Sequence, residues 1–134
     1  MIRVVLVEDE SRLRQAWERL AAGQPDIQLV GSLPQADGLT AALASWETDI
    51  VVLDLSMPGM DSFEALRQVS AKFPAVKSVV YSAHNDVEMM RSAFDAGAWA
   101  FIDKLMEPSE IFKILRTVAQ GQVVLPPRLA IGNP

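Results

Sequence analysis

Ile50-Val51-Val52-Leu53-Asp54-Leu55-Ser56-Met57-Pro58-Gly59-Met60-Asp61 is the stretch on which the reading of this chain turns. Four large aliphatic residues in a row are the pattern of a short strand covered on both faces. The run ends on a carboxylate, Asp54, and passes into Met57-Pro58-Gly59, a turn signal. Asp61 and Glu64 then have the spacing of a helix capping box. An acid where a buried strand meets an open loop is costly to a core and useful to a site. Asp54 is therefore the residue around which other chemistry is sought.

Outward from that strand the chain alternates. On the N-terminal side, Ile2–Val7 reads as a strand followed at once by Glu8, Asp9 and Glu10. Leu13, Ala16, Trp17, Leu20 and Ala21 recur at helical spacing, stopped by Gly23 and Pro25. Ile27–Leu33 is a more polar strand, suited to an edge, and Leu39, Ala42, Leu43 and Trp46 mark a second helix. On the C-terminal side, Phe63, Leu66, Val69 and Phe73 give a helix ended by Pro74. Val76–Tyr81 is a strand with Ser82, Ala83 and His84 after it. Asn85 or Asp86 can cap a helix carrying Val87, Met90 and Phe94, closed by Gly97. Ala98–Ile102 is a strand leading to Asp103 and Lys104. Pro108 opens a last helix, lined by Ile111, Ile114, Leu115 and Val118 and ended by Gly121. Residues 123–134 hold Pro126, Pro127, Gly132 and Pro134 and read as a linker outside the core.

Five strands alternating with five helices imply a parallel sheet with right-handed crossovers and helices on both faces. The five-stranded doubly wound order 2-1-3-4-5 fits best, with the polar second strand at an edge. At 134 residues the chain suits one domain with a real core. No apolar run approaches the roughly 20 residues of a membrane span, and the Ile2–Val7 run is no secretory signal. The chain has no cysteine, hence no disulfide or thiolate chemistry, which fits a reducing cytosol. A net charge of −5 argues against binding nucleic acid through these residues alone.

In such sheets ligands bind outside the carboxyl ends of the strands, where the winding reverses. Glu8 and Asp9, Asp54, Ser82 and Lys104 leave four different strands at that end. Three clustered carboxylates repel one another unless a cation neutralises them, and an all-oxygen set suits a hard divalent ion, with Mg²⁺ the default. Lys104 adds a fixed positive charge and Ser82 a hydroxyl donor. A metal, an ammonium and a hydroxyl around a carboxylate cradle a phosphoryl group, for which a carboxylate can serve as nucleophile.

Val7-Glu8-Asp9, Leu53-Asp54-Leu55-Ser56-Met57-Pro58-Gly59-Met60, Tyr81-Ser82-Ala83 and Phe101-Ile102-Asp103-Lys104 together resemble the receiver domain of two-component response regulators. The likeness covers residues 1–122, with 123–134 as linker, and implies a flavodoxin-like (βα)5 fold. It implies that Asp54 takes a phosphoryl group from the phosphohistidine of a sensor histidine kinase. Asp9, Asp54 and the backbone carbonyl of Ser56 would bind Mg²⁺, with Glu8 assisting directly or through a water. Lys104 would pair with phosphoryl oxygens, Ser82 would move toward them, and Phe101 would be the switch aromatic that turns inward. The output face would be the fourth helix, fifth strand and fifth helix, about residues 86–121. Beyond its own phosphorylation and dephosphorylation such a domain is not an enzyme.

Glu107-Pro108-Ser109-Glu110-Ile111, Val118-Ala119-Gln120-Gly121 and Leu125-Pro126-Pro127-Arg128-Leu129 are similar to the end of NarL/FixJ-type receivers, where a linker leads to a LuxR-type DNA-binding domain. That implies a cytoplasmic regulator acting on DNA only through a further domain, with self-association on activation left open. Three departures stand out. Glu8 is one methylene longer than the usual aspartate, Ser62 replaces a common glycine, and Leu105 follows the lysine where proline is common, so a trans bond is expected there.

Plainer readings stand beside these. Alone, Asp54 could be a cap or turn residue, Glu8 and Asp9 a solvated helix start, Ser82 a strand-end hydroxyl and Lys104 a surface lysine. His84, two residues past Ser82, is either an ordinary surface residue or, with Ser56, a group that tunes how long the phosphoryl survives. Trp17 and Trp46 suit helix-to-sheet core. Trp99 is either partly exposed on the output face, in a partner or dimer contact, or packed against the last helix. The competing functions are a stand-alone receiver acting by protein contact or phosphorelay, a Mg²⁺-dependent phosphohydrolase, and a pseudo-receiver that takes no phosphate.

Overall fold

The computed structural model describes residues 1–56 and 61–131, so the Met57-Pro58-Gly59 turn and Met60 lie outside the described residues. In chain order the elements are β1 (Ile2–Val7), α1 (Ser11–Ala22), β2 (Ile27–Leu33), α2 (Leu39–Ser45, after a 3-10 turn at Ala36–Gly38) and β3 (Ile50–Asp54). There follow α3 (Ser62–Lys72), β4 (Lys77–Ser82), α4 (Val87–Asp95), β5 (Ala98–Asp103), α5 (Pro108–Ala119) and α6 (Pro127–Ile131). The strands form one parallel sheet in the order β2-β1-β3-β4-β5, as the alternation predicts. All five residues of β3 are buried, whereas β2 is half-buried along most of its length, as an edge strand is.

Successive residues of a strand face opposite ways, and the two faces bury two clusters. Val5, Val7, Val51, Leu53, Val80 and Phe101 meet Leu39, Leu43, Leu66, Val69, Met90 and Ala93 from α2, α3 and α4. Val4, Leu6, Val52, Val79, Tyr81 and Ile102 meet Trp17, Ile111, Phe112, Leu115 and Val118 from α1 and α5. Trp17 stands edge-on to Tyr81, with ring centres 5.5 Å apart, and to Phe112 at 6.2 Å. Trp46 covers Gly31 of β2, leaving no room there for a Cβ. Trp99 divides between its two readings: it is half-buried, packs with the α1/α5 cluster and carries Lys77 Nζ 5.3 Å from its ring.

The helix ends follow local chemistry. Asp61 caps α3 by accepting the Phe63 N–H at 3.0 Å, while Glu64 pairs with Arg67, so the capping box is half formed. Asp86, not Asn85, caps α4 through the Met89 N–H at 2.8 Å. Pro108 occupies the first turn of α5. The segment read as a linker is less free than its prolines suggest. Val124 forms a parallel bridge with Ala100 of β5, Pro126 is buried, and α6 lies against α4 with Leu129 packed on the core. Pro126 and Leu129 find a surface beside β5 and α4, which no local pattern reveals, while Leu125 stays exposed.

Gly97 and Gly121 follow α4 and α5 with φ of +115° and +90°. A Cβ at Gly97 would also stand 2.6 Å from Ser70 Oγ and 2.8 Å from Ser70 Cβ, whereas Gly121 has open space. Urea unfolding is expected to show Gly97→Ala losing about 2–3 kcal/mol and Gly121→Ala about 1 kcal/mol. Equal losses would show that the Ser70 contact yields without cost.

Candidate functional site

Sheet order and register bring the suspected residues together. β1 pairs with β3 through Val7 and Leu53, so Glu8 leaves the sheet beside Asp54. β3 pairs with β4 through Asp54 and Tyr81, and β4 with β5 through Ser82 and Asp103, one residue before Lys104. Oxygens of Glu8, Asp9 and Asp54 lie within 4.8 Å of one another. Glu8 and Asp54 are buried, at 0% and 1% exposure, while Asp9 is open to solvent.

Two acids out of water need a compensating charge. Lys104 supplies it: its Nζ donates to Glu8 Oε1 and Asp54 Oδ2, each at 2.9 Å. Burial works against the ammonium, but the two carboxylates outweigh it and hold the Lys104 pKa above its ordinary value. The nitrogen also lies 5.1 Å from the Tyr81 ring centre, and Trp17 supports that ring from α1. Burial pushes Glu8 up to about 7, with Asp9 and Asp54 adding to the rise and bonds from Glu10 N–H and Lys104 opposing it. Glu8 Oε2 accepts the Glu10 N–H at 3.0 Å, so both its oxygens are engaged.

Asp54 is oriented from the other side. Its Oδ1 accepts the Ser56 N–H at 2.8 Å, and Ser62 Oγ donates to its backbone carbonyl at 3.1 Å. A glycine at position 62 could not make that bond, so the Ser62 departure adds a tether. Arg14, one turn into α1, donates to the carbonyls of Glu8 and Asp9 at 2.8 and 2.9 Å. Sequence reasoning had no signal for Arg14, because which carbonyls face it depends on how the loop turns.

Ser82 is buried and faces α4: its Oγ lies 3.9 Å from Met89 Sδ and accepts the His84 N–H at 3.0 Å. Its carbonyl accepts the Lys104 N–H at 3.0 Å, tying the two strand exits together. His84 and Ser56 are exposed beside the cleft. Phe101 is 3% exposed and packed in the α2/α3/α4 cluster, so the aromatic ring already lies inside. Leu105 is 90% exposed after a trans peptide bond, its N–H held by Asp103 Oδ1 at 2.8 Å.

The donor set suits a hard divalent cation: oxygens only, two buried acids on one side and solvent-facing Asp9 on the other. This Glu-Asp-Asp cluster is compatible with Mg²⁺. Among the described residues, no helix is long and apolar enough to cross a membrane.

Residues 4–116 match the response regulator receiver domain. The chain belongs to that family. This receiver is 33% identical over 122 residues to the nitrate/nitrite response regulator protein NarL of Escherichia coli K12, covering 91% of this chain and 56% of NarL. It is 29% identical over 131 residues to the transcriptional regulatory protein UhpA of the same strain, covering 98% of this chain and 65% of UhpA. The receiver thus spans between about half and two-thirds of those relatives' length. In structure it is similar to a LuxR-family two-component response regulator from Aurantimonas sp. SI85-9A1, with a TM-score of 0.88, 26% identity and coverage of 96% and 92% of the two chains. It is also similar to the signal receiver domain of NarL from Mycobacterium tuberculosis, with a TM-score of 0.85, 25% identity and coverage of 90% and 98%. It is a receiver of the NarL/LuxR type.

Folding raises the Glu8 pKa from 4.5 to about 7, so folding binds a proton that the unfolded chain releases. The resulting stability is present at low pH and is lost as pH rises through that window. Without metal, the receiver is expected to lose on the order of 2–3 kcal/mol more than Glu8→Gln between about pH 5 and pH 8, read by denaturant unfolding in chelator. Parallel pH profiles would mean that Glu8 stays ionised throughout.

Proposed function

We propose that Asp54 is the phosphoacceptor of a two-component pathway, and that the donor is a phosphohistidine on a sensor histidine kinase. One observation carries the reading: Lys104 Nζ stands 2.9 Å from Asp54 Oδ2 in a cleft where Glu8 and Asp9 also meet. An Asp54 oxygen attacks phosphorus as the P–N bond to the imidazole breaks. The imidazole leaves with the electron pair and takes a proton from solvent. Water later cleaves the acyl phosphate, returning the carboxylate and inorganic phosphate. The chain therefore acts on itself and turns over no outside substrate.

Phosphoryl transfer asks chiefly for positioning and charge neutralisation. Lys104 neutralises phosphoryl oxygens on one side while the Ser56 N–H fixes the other Asp54 oxygen. Mg²⁺, held by Asp9, Asp54 and the Ser56 carbonyl, would neutralise charge shared between the acids and the phosphoryl group. Glu8 would assist, directly or through a water. Ser82 leaves Met89 and donates its hydroxyl to a phosphoryl oxygen. The buried Phe101 then fixes the new position of the loop above it instead of swinging in from solvent.

The face made by α4, β5 and α5 carries the signal, with self-association in the activated state. As relatives named transcriptional regulatory proteins suggest, the output is a LuxR-type DNA-binding domain outside these residues. The kinase's phosphodonor and the chromosome are both cytoplasmic, so that is where this reading has the chain work.

With Mg²⁺ and acetyl phosphate, the protein is expected to gain the mass of one phosphoryl group, and Asp54→Asn none. Lys104→Ala should slow the gain on the order of 100-fold. Phosphorylation of Asp54→Asn at the parent's rate would overturn the assignment. His84→Ala is expected to change the decay rate of the phosphorylated protein between about pH 6 and pH 8. An unchanged rate leaves His84 as a plain surface residue.

A further inference from the structure

Residues 123–131 take no part in that chemistry, yet they are bonded to the loop that must move for it. Val124 N–H donates to the Trp99 carbonyl at 2.8 Å, laying the segment along the free edge of β5. Pro126 is buried, and α6 rests on α4 with Leu129 packed against the cluster that holds Met90, Ala93 and Phe101. From α6, Arg128 Nη1 donates to the Asn85 carbonyl at 2.9 Å. Asn85 Nδ2 in turn donates to Asp103 Oδ2 at 2.9 Å, beside Lys104. Asn85 is three residues past Ser82, in the short loop where His84 N–H holds Ser82 Oγ.

We propose that residues 123–131 are a strap across the α4–β5 face, latched by Arg128 on Asn85, whose docking and phosphorylation of Asp54 oppose each other. The inference rests on Asp54 being the phosphoacceptor. To reach a phosphoryl oxygen, Ser82 must leave Met89, and it carries His84 and then Asn85 with it. That displaces the carbonyl Arg128 holds. One charge-assisted bond, one bridge, the buried Pro126 and a five-residue helix seated by Leu129 are a small attachment, the kind a local shift can open. Release uncovers α4 and the β5 edge. Coupling between two events is reciprocal, so the docked strap must also slow phosphorylation.

Hydrogen exchange of the whole chain, with Mg²⁺ and with or without beryllofluoride, tests this. The Val124 and Leu129 amides, bonded to Trp99 and Pro126 carbonyls, are the reporters. Exchange at both should rise about tenfold once the adduct forms. Arg128→Ala should raise it without the adduct and speed phosphorylation by acetyl phosphate about two- to fivefold, and Arg128→Lys should restore part of the protection. An adduct on Asp54 with Val124 protection unchanged, or an unaltered rate in Arg128→Ala, overturns the strap alone. No adduct on Asp54 overturns the strap and the phosphoacceptor reading together.

Discussion

Two buried carboxylates and one ammonium set the terms for this molecule. Glu8 and Asp54 are as inaccessible as the leucines around them. Lys104 arrives from another strand to pair with both and offsets the cost of burying them. The arrangement is balanced without being relaxed: Glu8 stays near neutrality in pKa, and three acidic side chains crowd a few ångströms of cleft. A site under such electrostatic load responds to any change of charge placed in it. That is the property a receiver of a phosphoryl group requires.

The rest of the fold keeps those charges in register. β3 is buried from end to end, so Asp54 cannot retreat along the strand. Ser56 and Ser62 fix its carboxylate and its carbonyl. Arg14 draws in the loop bearing Glu8 and Asp9, and Trp17 buttresses the Tyr81 ring beneath Lys104. The acidic and basic groups come from separate crossovers, each carrying its own helix. At α4 the helix touches the strand end directly, where Met89 contacts Ser82.

Much of this was legible early, for reasons particular to the residues. Ile50–Leu53 had the pattern of an inner strand, and Ile111, Ile114, Leu115 and Val118 had the spacing of one helix face. Polar residues at four strand exits converge by topology, whatever the details of packing. Less legible were bonds whose partners are far apart in sequence or lie in backbone carbonyls: Arg14 to Glu8 and Asp9, Ser62 to Asp54, Arg128 to Asn85. The prolines after α5 mark a linker by composition, but composition says nothing of the surface that Pro126 and Leu129 meet.

The amino-acid order alone determined the alternation of strands and helices, the parallel sheet, and the identity of the acids, hydroxyl and lysine at its carboxyl edge. These follow from periodicities of two and 3.6 residues and from the handedness of crossovers, all local or chiral properties of the chain. Only the tertiary structure decided that Lys104 bridges Glu8 and Asp54, that Ser82 faces Met89, that Phe101 lies inside, and that Val124 lies along β5 with α6 against α4. Those outcomes depend on distances between elements, and such distances are set when the two faces of the sheet are packed.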